Sequence, residues 1–433
     1  MTKKNQMHLF LSVLIILFAA CKKTETPVEI AQETPVTIVP TPPTTPTSPI
    51  IPFYSVGTGS GNLVIDGKSM DFTNIKLVKV KAGSYKTITI SNITGSSTQP
   101  IVIKNDGLVN ISEIMTTENL NYVTISGDNT DGIAYGFNFE NIAFRAFRLN
   151  GKMNYLTLKS LSFKNVGDYV ITSENSTLKY TGSADTRTEN FKVLNCLFDN
   201  TGTMVFGGAL NKDTGEDSGF FKDVEIAFNT FQNTNAGTVC SFSNVQDYLV
   251  HDNVVNNINP TNNNHNGVFF MQGNGKFYSN KLTNYQGNSI RMWLYSRGST
   301  PATNEIYNNI CYNTRKYGAF ELQSFDRNMY SGKTTFANAK VYNNTVGLMN
   351  TSKDWDGQIL DLYNIGGTLE YYNNLGFSLF TSNTYRGITN MINNMSESII
   401  TKEENNKYLL TQAGAVIDLN TFTSVFAGIG ATR

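Results

Sequence analysis

Three charged side chains, Arg291, Glu321 and Asp361, and one histidine, His265, have the types and spacing that chemistry needs. Each of the three sits between two apolar residues: Ile290 and Met292, Phe320 and Leu322, Leu360 and Leu362. Phe270 sits the same way between Phe269 and Met271. If those apolar residues point inward from stacked strands, the residues between them form one outward column, stepped by about 4.8 Å. Two positions further on, Gln272, Trp293, Gln323 and Tyr363 form a second column of amides and flat rings, with Tyr295 next to Trp293's end of it.

Three chemistries fit these columns. A base beside a positive group suits abstraction of the proton next to a carboxylate, the step of a lyase on a uronate-containing polysaccharide. Arg291 with Glu321 and Asp361, holding Ca²⁺ if a metal takes part, would stabilise the developing charge, and His265 would be the base. Two carboxyls suit glycoside hydrolysis, with Glu321 and Asp361 raising one another's pKa. The ring and amide column alone (Trp293, Tyr363, Gln272, Gln323, Tyr295) suits a protein that binds a glycan without turning it over. Plainer readings exist for each residue. Arg291 between acids is a cross-strand charge pair on an exposed sheet. Trp293 and Tyr363 pack under the insertion at 325–338, and His265 is a solvent-facing loop residue. The stretch Asp128-Asn129-Thr130-Asp131-Gly132 has the start of a Ca²⁺ loop but not its closing Glu, and reads as a turn.

The columns depend on a register, and a repeat supplies it. From Leu158 to Val346 the chain repeats apolar, two residues, Asn, one residue, apolar, one residue, Asn. Clean copies are Ile226, Asn229, Phe231, Asn233; Val250, Asn253, Val255, Asn257; Phe277, Asn280, Leu282, Asn284; and Ile306, Asn309, Cys311, Asn313. The second apolar slot recurs at 163, 198, 231, 255, 282, 311 and 346, and Asn374 and Asn394 echo the repeat's Asn positions. A rigid unit with elastic spacing of 20–50 residues marks a solenoid. Alternation within the unit marks a strand with one buried face. Asn at one slot in successive turns can bond up and down the stack, and it tolerates the left-handed backbone of a sharp corner. One join is long: the residues 258–266, with Pro260 and His265, extend a corner that is short elsewhere. Insertions in a solenoid gather on a binding face.

The chain of 433 residues is 40% hydrophobic and 16% charged, with 27 Phe and 21 Tyr, which excludes a disordered composition. Basic and acidic residues number 34 each, and no basic stripe points to nucleic acid. Lys3 and Lys4, the apolar run Leu9 to Ala20 and then Phe18-Ala19-Ala20-Cys21 resemble a bacterial lipoprotein signal. That resemblance implies cleavage before Cys21, its acylation, and, with Lys22 following, an outer-membrane location on the periplasmic or the cell-surface side. The Thr- and Pro-rich residues 21–52 then read as a tether, and 53–433 as one elongated domain, expected to act as a monomer. Cys196, Cys240 and Cys311 remain, an odd set that reads as small buried apolar groups and not as a disulfide framework.

Ala82-Gly83-Ser84-Tyr85, Ile88, Ile90 and Pro100-Ile101-Val102-Ile103 resemble the N-terminal region of pectin-lyase-like right-handed parallel β-helix proteins, among them alginate lyase and chondroitinase B relatives. Ala413 to Asp418 resembles the closing turn of the same superfamily. The resemblance implies an all-β fold, a single-stranded right-handed parallel β-helix of about ten or more coils, capped by its last 15 or so residues. Those lyases pair a Lys in a Lys-Ser turn with an Arg about one coil later. Here Val239 to Asn244 has no Lys, and only Arg291 carries over, as a position in the right kind of strand.

Overall fold

The computed structural model describes residues 52–432, apart from 129–131, 212–213, 325–335 and 381–390. The leader, Cys21 and the tether lie outside the described residues, as do the middle of Asp128–Gly132 and most of the insertion at 325–338. Ile51–Arg433 form one compact unit. It is nearly all β. Its helical pieces are short 3-10 turns and Gln412–Ala415, and no described helix is long and apolar enough to cross a membrane.

Among the described residues, 33 strands join in one sheet. From Tyr122 onward each circuit of the chain contributes three strands. Each pairs in parallel with its counterpart one circuit later, so the strands form three ladders. One ladder runs through Lys192–Leu194, Glu225–Ala227, Ala302–Tyr307 and Ala337–Tyr342. The next runs through Leu161–Val166, Leu197–Thr201, Thr230–Thr234, Val254–Ile258, Lys281–Tyr285, Ile310–Thr314 and Thr345–Met349. The third carries Met204–Phe206, Asn288–Leu294, Phe320–Ser324 and Leu360–Leu362. In two circuits one long strand, Cys240–His251 or Gly267–Tyr278, runs from the third ladder into the first, with register shifts at the bend.

The repeat read from the sequence is the register of these ladders. Phe163, Phe198, Phe231, Val255, Leu282, Cys311 and Val346 are successive partners and all are buried. The rings of Phe139, Phe163, Phe198 and Phe231 stack down the core at 4.6–5.1 Å. The first Asn of each unit forms a buried amide ladder. The Asn229 amide donates to Asn253 Oδ1, and the pattern repeats through Asn280, Asn309, Asn344 and Asn374 to Asn406. Asn394 is not in it; its side chain bonds Ser398. The second Asn supplies the corner, with φ near +55° at Asn165, Asn200, Asn233, Asn257 and Asn284. Amides satisfy the buried corner groups that a dry interior cannot leave unpaired.

Leu77–Thr94 is one strand whose register shifts at Gly83, at φ +147°, a conformation open to glycine. Two expectations differ from the fold. The final residues do not close the open end. They run back along the outer face of the last circuits, with Gly430 bonding Asn373, Ala431 bonding Thr345 and Thr432 bonding Asn308. Phe422 and Ala431 thereby cover the outward apolar Ile310. The second difference is burial at the site, described next. Cys196, Cys240 and Cys311 are buried free thiols, as expected.

Candidate functional site

The predicted column exists in register. Phe270 pairs with Arg291, Arg291 with Glu321, Glu321 with Asp361, and Asp361 with Asn393. The second column pairs Gln272 with Trp293 and Trp293 with Gln323, all half-buried, with Phe270 edge-on to Trp293 at 5.5 Å. Tyr363 lies just past the strand end, its backbone N–H on Leu322 O. Tyr295 does not join this surface. It has no exposed area, and its hydroxyl donates to Asn244 Oδ1 at 2.6 Å, so the expectation that it contacts substrate is corrected. Inward residues alternate along the strand, and Tyr295 lies just past its end at Leu294.

The column is not open to solvent along its length. Glu321 has no exposed surface and Asp361 is 2% exposed. The insertion at 258–266 folds over them and brings His265 onto Glu321. Arg291 Nε donates to Glu321 Oε1 at 2.7 Å, and its Nη1 donates to the His265 carbonyl at 3.0 Å. A Cβ on Gly267 would stand 2.8 Å from Arg291 Cγ, so the bare glycine lets the arginine stem pass. His265 Nε2 is 2.9 Å from Asn288 Oδ1 and 3.1 Å from Glu321 Oε2. Asn288 Nδ2 donates to Gly318 O and lies 3.4 Å from Asp361 Oδ2, so its Oδ1 can only accept. Nε2 therefore carries the imidazole proton, and in the neutral ring Nδ1 holds the lone pair. That proton points at the amide. Glu321 Oε2, though 3.1 Å from the ring, is a buried oxygen with no aligned hydrogen bond.

Asp361 is held differently. Gln358 and Asn393 donate amides to its Oδ1. Burial nonetheless pushes its carboxyl up to about 6, with Glu321's charge adding to the rise and the Asn393 and Gln358 amides opposing it. Glu321 is thus paired with Arg291, and the neighbouring Asp361 keeps its proton to higher pH than an ordinary aspartate does.

The arrangement does not suit Ca²⁺. The oxygens of Glu321 and Asp361 already face a guanidinium, an imidazole N–H and three amide donors, where a cation needs further oxygens. Among the described residues no cluster of three or more metal-ligating side chains occurs. Asp128 bonds Ser126 and Lys159.

Sequence reasoning missed the residues that hold this site. Asn288, Gly318 and Gln358 each stand three residues before a member of the column. Extending the strand alignment by three positions would have found them. Tyr317 stacks on the His265 ring at 4.2 Å, and Trp355 lies 6.3 Å from it, both from corners with no repeat signal. A groove of about 500 Å³ lies elsewhere, over corners at Asn141, Asn165 and Asn200, and its lining has no titratable group. No family model matches the chain, and no curated protein matches it as a relative.

Proposed function

We propose that this chain is an exported polysaccharide lyase that cleaves a uronate-containing chain by β-elimination, working as a monomer on a right-handed parallel β-helix tethered through acylated Cys21 to the outer membrane. The parallel ladders and the circuit of three strands support the β-helix reading. The observation that carries the function is the placement of His265: the buried Asn288 amide oxygen accepts from Nε2–H beside the buried Glu321 carboxylate, and the Nδ1 lone pair is left without a partner among the described residues. Nδ1 then removes the proton next to the uronate carboxylate. Arg291 keeps Nε on Glu321 and Nη1 on the His265 carbonyl, and its Nη2 is available to the developing enediolate. The C–H electron pair becomes the double bond, the glycosidic C–O bond breaks, and the departing oxygen takes a proton from the imidazolium or from water. The glycan is the partner, and nothing in the charge pattern favours nucleic acid.

Hydrolysis by Glu321 and Asp361 is less well supported, because neither carboxyl has the surface to meet a glycosidic oxygen or a water. A second reading is a glycan-binding surface protein without turnover, favoured by the half-buried row Gln272, Trp293 and Gln323 beside the site. Incubation with pectate, alginate and glycosaminoglycans, read at the ultraviolet absorbance of unsaturated uronates, separates the two. Absorbance growth supports the lyase. Retention on one of these glycans with no absorbance growth supports the binder.

A further inference from the structure

The lyase reading leaves unused a group of side chains beside His265. Trp355 is 42% exposed, although it is one of only two tryptophans in the chain. Elsewhere the outward rings cover one another: Tyr278, Tyr307, Tyr342 and Tyr372 stack nearly parallel at 4.9–5.0 Å, so their faces are occupied. Trp355 is arranged otherwise. It meets Tyr317 at 65° and 5.3 Å and His265 at 51° and 6.3 Å, so no parallel ring lies on its face among the described residues. The Lys316 amine lies 5.8 Å from the Trp355 ring centre and 5.4 Å from that of Tyr317, and Asp354 holds it at 3.1 Å. The Lys316 side chain is 19% exposed and that of Asp354 is 52% exposed.

A flat indole face suits the apolar C–H face of a pyranose, as aromatic side chains suit other flat apolar partners. An ammonium over one side of that ring, whose carboxylate partner among the described residues is a solvated one, can exchange that partner for an anion on the sugar at small cost. We propose that Trp355 and Lys316 form a subsite for an acidic pyranose next to the one whose proton His265 removes. The proposal rests on the lyase reading for its uronate, and it names two specificity-determining residues: Trp355 for the ring and Lys316 for the charge. Tyr317 is a positioning residue, because it packs against both the His265 ring and the indole.

The test uses the two tryptophans as reporters. Uronate oligosaccharides from pectate and alginate, and neutral oligosaccharides of equal length, are titrated into the full chain carrying His265→Gln, which removes the proposed base. Intrinsic fluorescence is followed, and binding is measured in parallel by calorimetry. The expected result is a fluorescence change on binding acidic oligosaccharides that survives Trp293→Phe and is lost in Trp355→Phe. Lys316→Gln is expected to weaken acidic ligands about tenfold and to leave neutral ones unchanged. Circular dichroism of each variant shows whether it is folded, and calorimetry is expected to find binding lost in Trp355→Ala and kept in Trp355→Tyr, which keeps a flat ring. The subsite is overturned if acidic oligosaccharides bind with Trp355 silent, if Lys316→Gln weakens neutral and acidic ligands alike, or if none of these acidic oligosaccharides binds. The lyase reading fails separately, if the unsubstituted chain binds the same oligosaccharides through Trp355 and releases no unsaturated product.

Discussion

His265 Nε2 stands 3.1 Å from Oε2 of Glu321, and this partly exposed imidazole meets a carboxylate with no exposed surface of its own. Asn288 Oδ1 fixes which ring nitrogen bears the proton, and the Glu321 carboxylate lies beside the positive charge the ring gains when Nδ1 takes a proton. Glu321→Gln keeps the shape and leaves an oxygen for Arg291 Nε, but it removes that negative charge. Unsaturated product from the preferred polyuronate is expected to fall by about 10²–10⁴-fold, with little change in secondary structure. His265→Ala is expected to fall by a similar factor, and the double substitution by no more than either alone, because the two residues act as one unit. Full activity in Glu321→Gln would remove the His265 mechanism.

Asp361 makes stability depend on pH in a stated direction. Its carboxyl titrates at about 6 in the fold, against an ordinary value of 3.8 for an aspartate in water, chiefly because it is buried. Between those values the folded chain binds more protons than the unfolded one, so stability falls as pH rises. This contribution is complete below about pH 4 and is lost as pH rises through 6. The gap of about two units amounts to roughly 3 kcal/mol. Asp361→Asn can keep an oxygen toward Gln358 and Asn393 and no longer ionises. Guanidinium midpoints at pH 4.5 and 7 are therefore expected to diverge between the two proteins, with the variant gaining relative stability at pH 7. Parallel pH profiles would show that Asp361 does not titrate in this window.

The two asparagine columns look alike in sequence and differ in weight. Asn280 Oδ1 accepts both the backbone N–H and the side-chain amide of Asn253, and its own amide donates to Val250 O and Asn309 Oδ1, all of it buried. Asn280→Ala strands two buried donors and is expected to cost about 3–5 kcal/mol. Asn284 is exposed, with φ +54° and single amide bonds to Asn256 and Asn313. Glycine accepts that backbone freely, so Asn284→Gly is expected to cost less than about 1 kcal/mol. Equal losses in denaturant unfolding would mean that burial does not distinguish the columns.

The register was legible because a strand's period of two leaves each residue one of two directions, and the repeated Phe163-to-Val346 slot chose between them. That is why Arg291, Glu321 and Asp361 stand in line as read. Their burial was not legible, since direction from the sheet does not say what covers a side chain. The cover comes from residues 258–266 and from the corners bearing Tyr317 and Trp355, whose lengths follow no period. His265 was found only because its insertion was longer than its neighbours. Tyr295 was misplaced for the converse reason: the alternation was carried one residue past the point where the chain leaves the strand at Leu294.

The loop that carries His265 is held by a residue in the corresponding corner two circuits later. Arg315 Nη2 donates to Asn262 O at 2.6 Å and to Asn259 O at 3.2 Å, and its Nη1 bonds the Asn263 side chain. Tyr317 Oη adds a bond to Asn263 O at 3.3 Å. A planar guanidinium can bridge several carbonyls at once, which a lysine cannot. Arg315→Lys is therefore expected to free the loop without unfolding the ladders beneath it. Amide exchange should quicken across 258–266 and stay slow in Val254–Ile258 before the loop and Gly267–Tyr278 after it, apart from the shared Ile258 end. Misplacing a catalytic group by about 1 Å can cost about 10²-fold, so unsaturated product is expected to fall by one to two orders of magnitude while the unfolding midpoint moves little. If exchange quickens in the loop and turnover is unchanged, His265 does not need this placement, and the base must be sought elsewhere on the column.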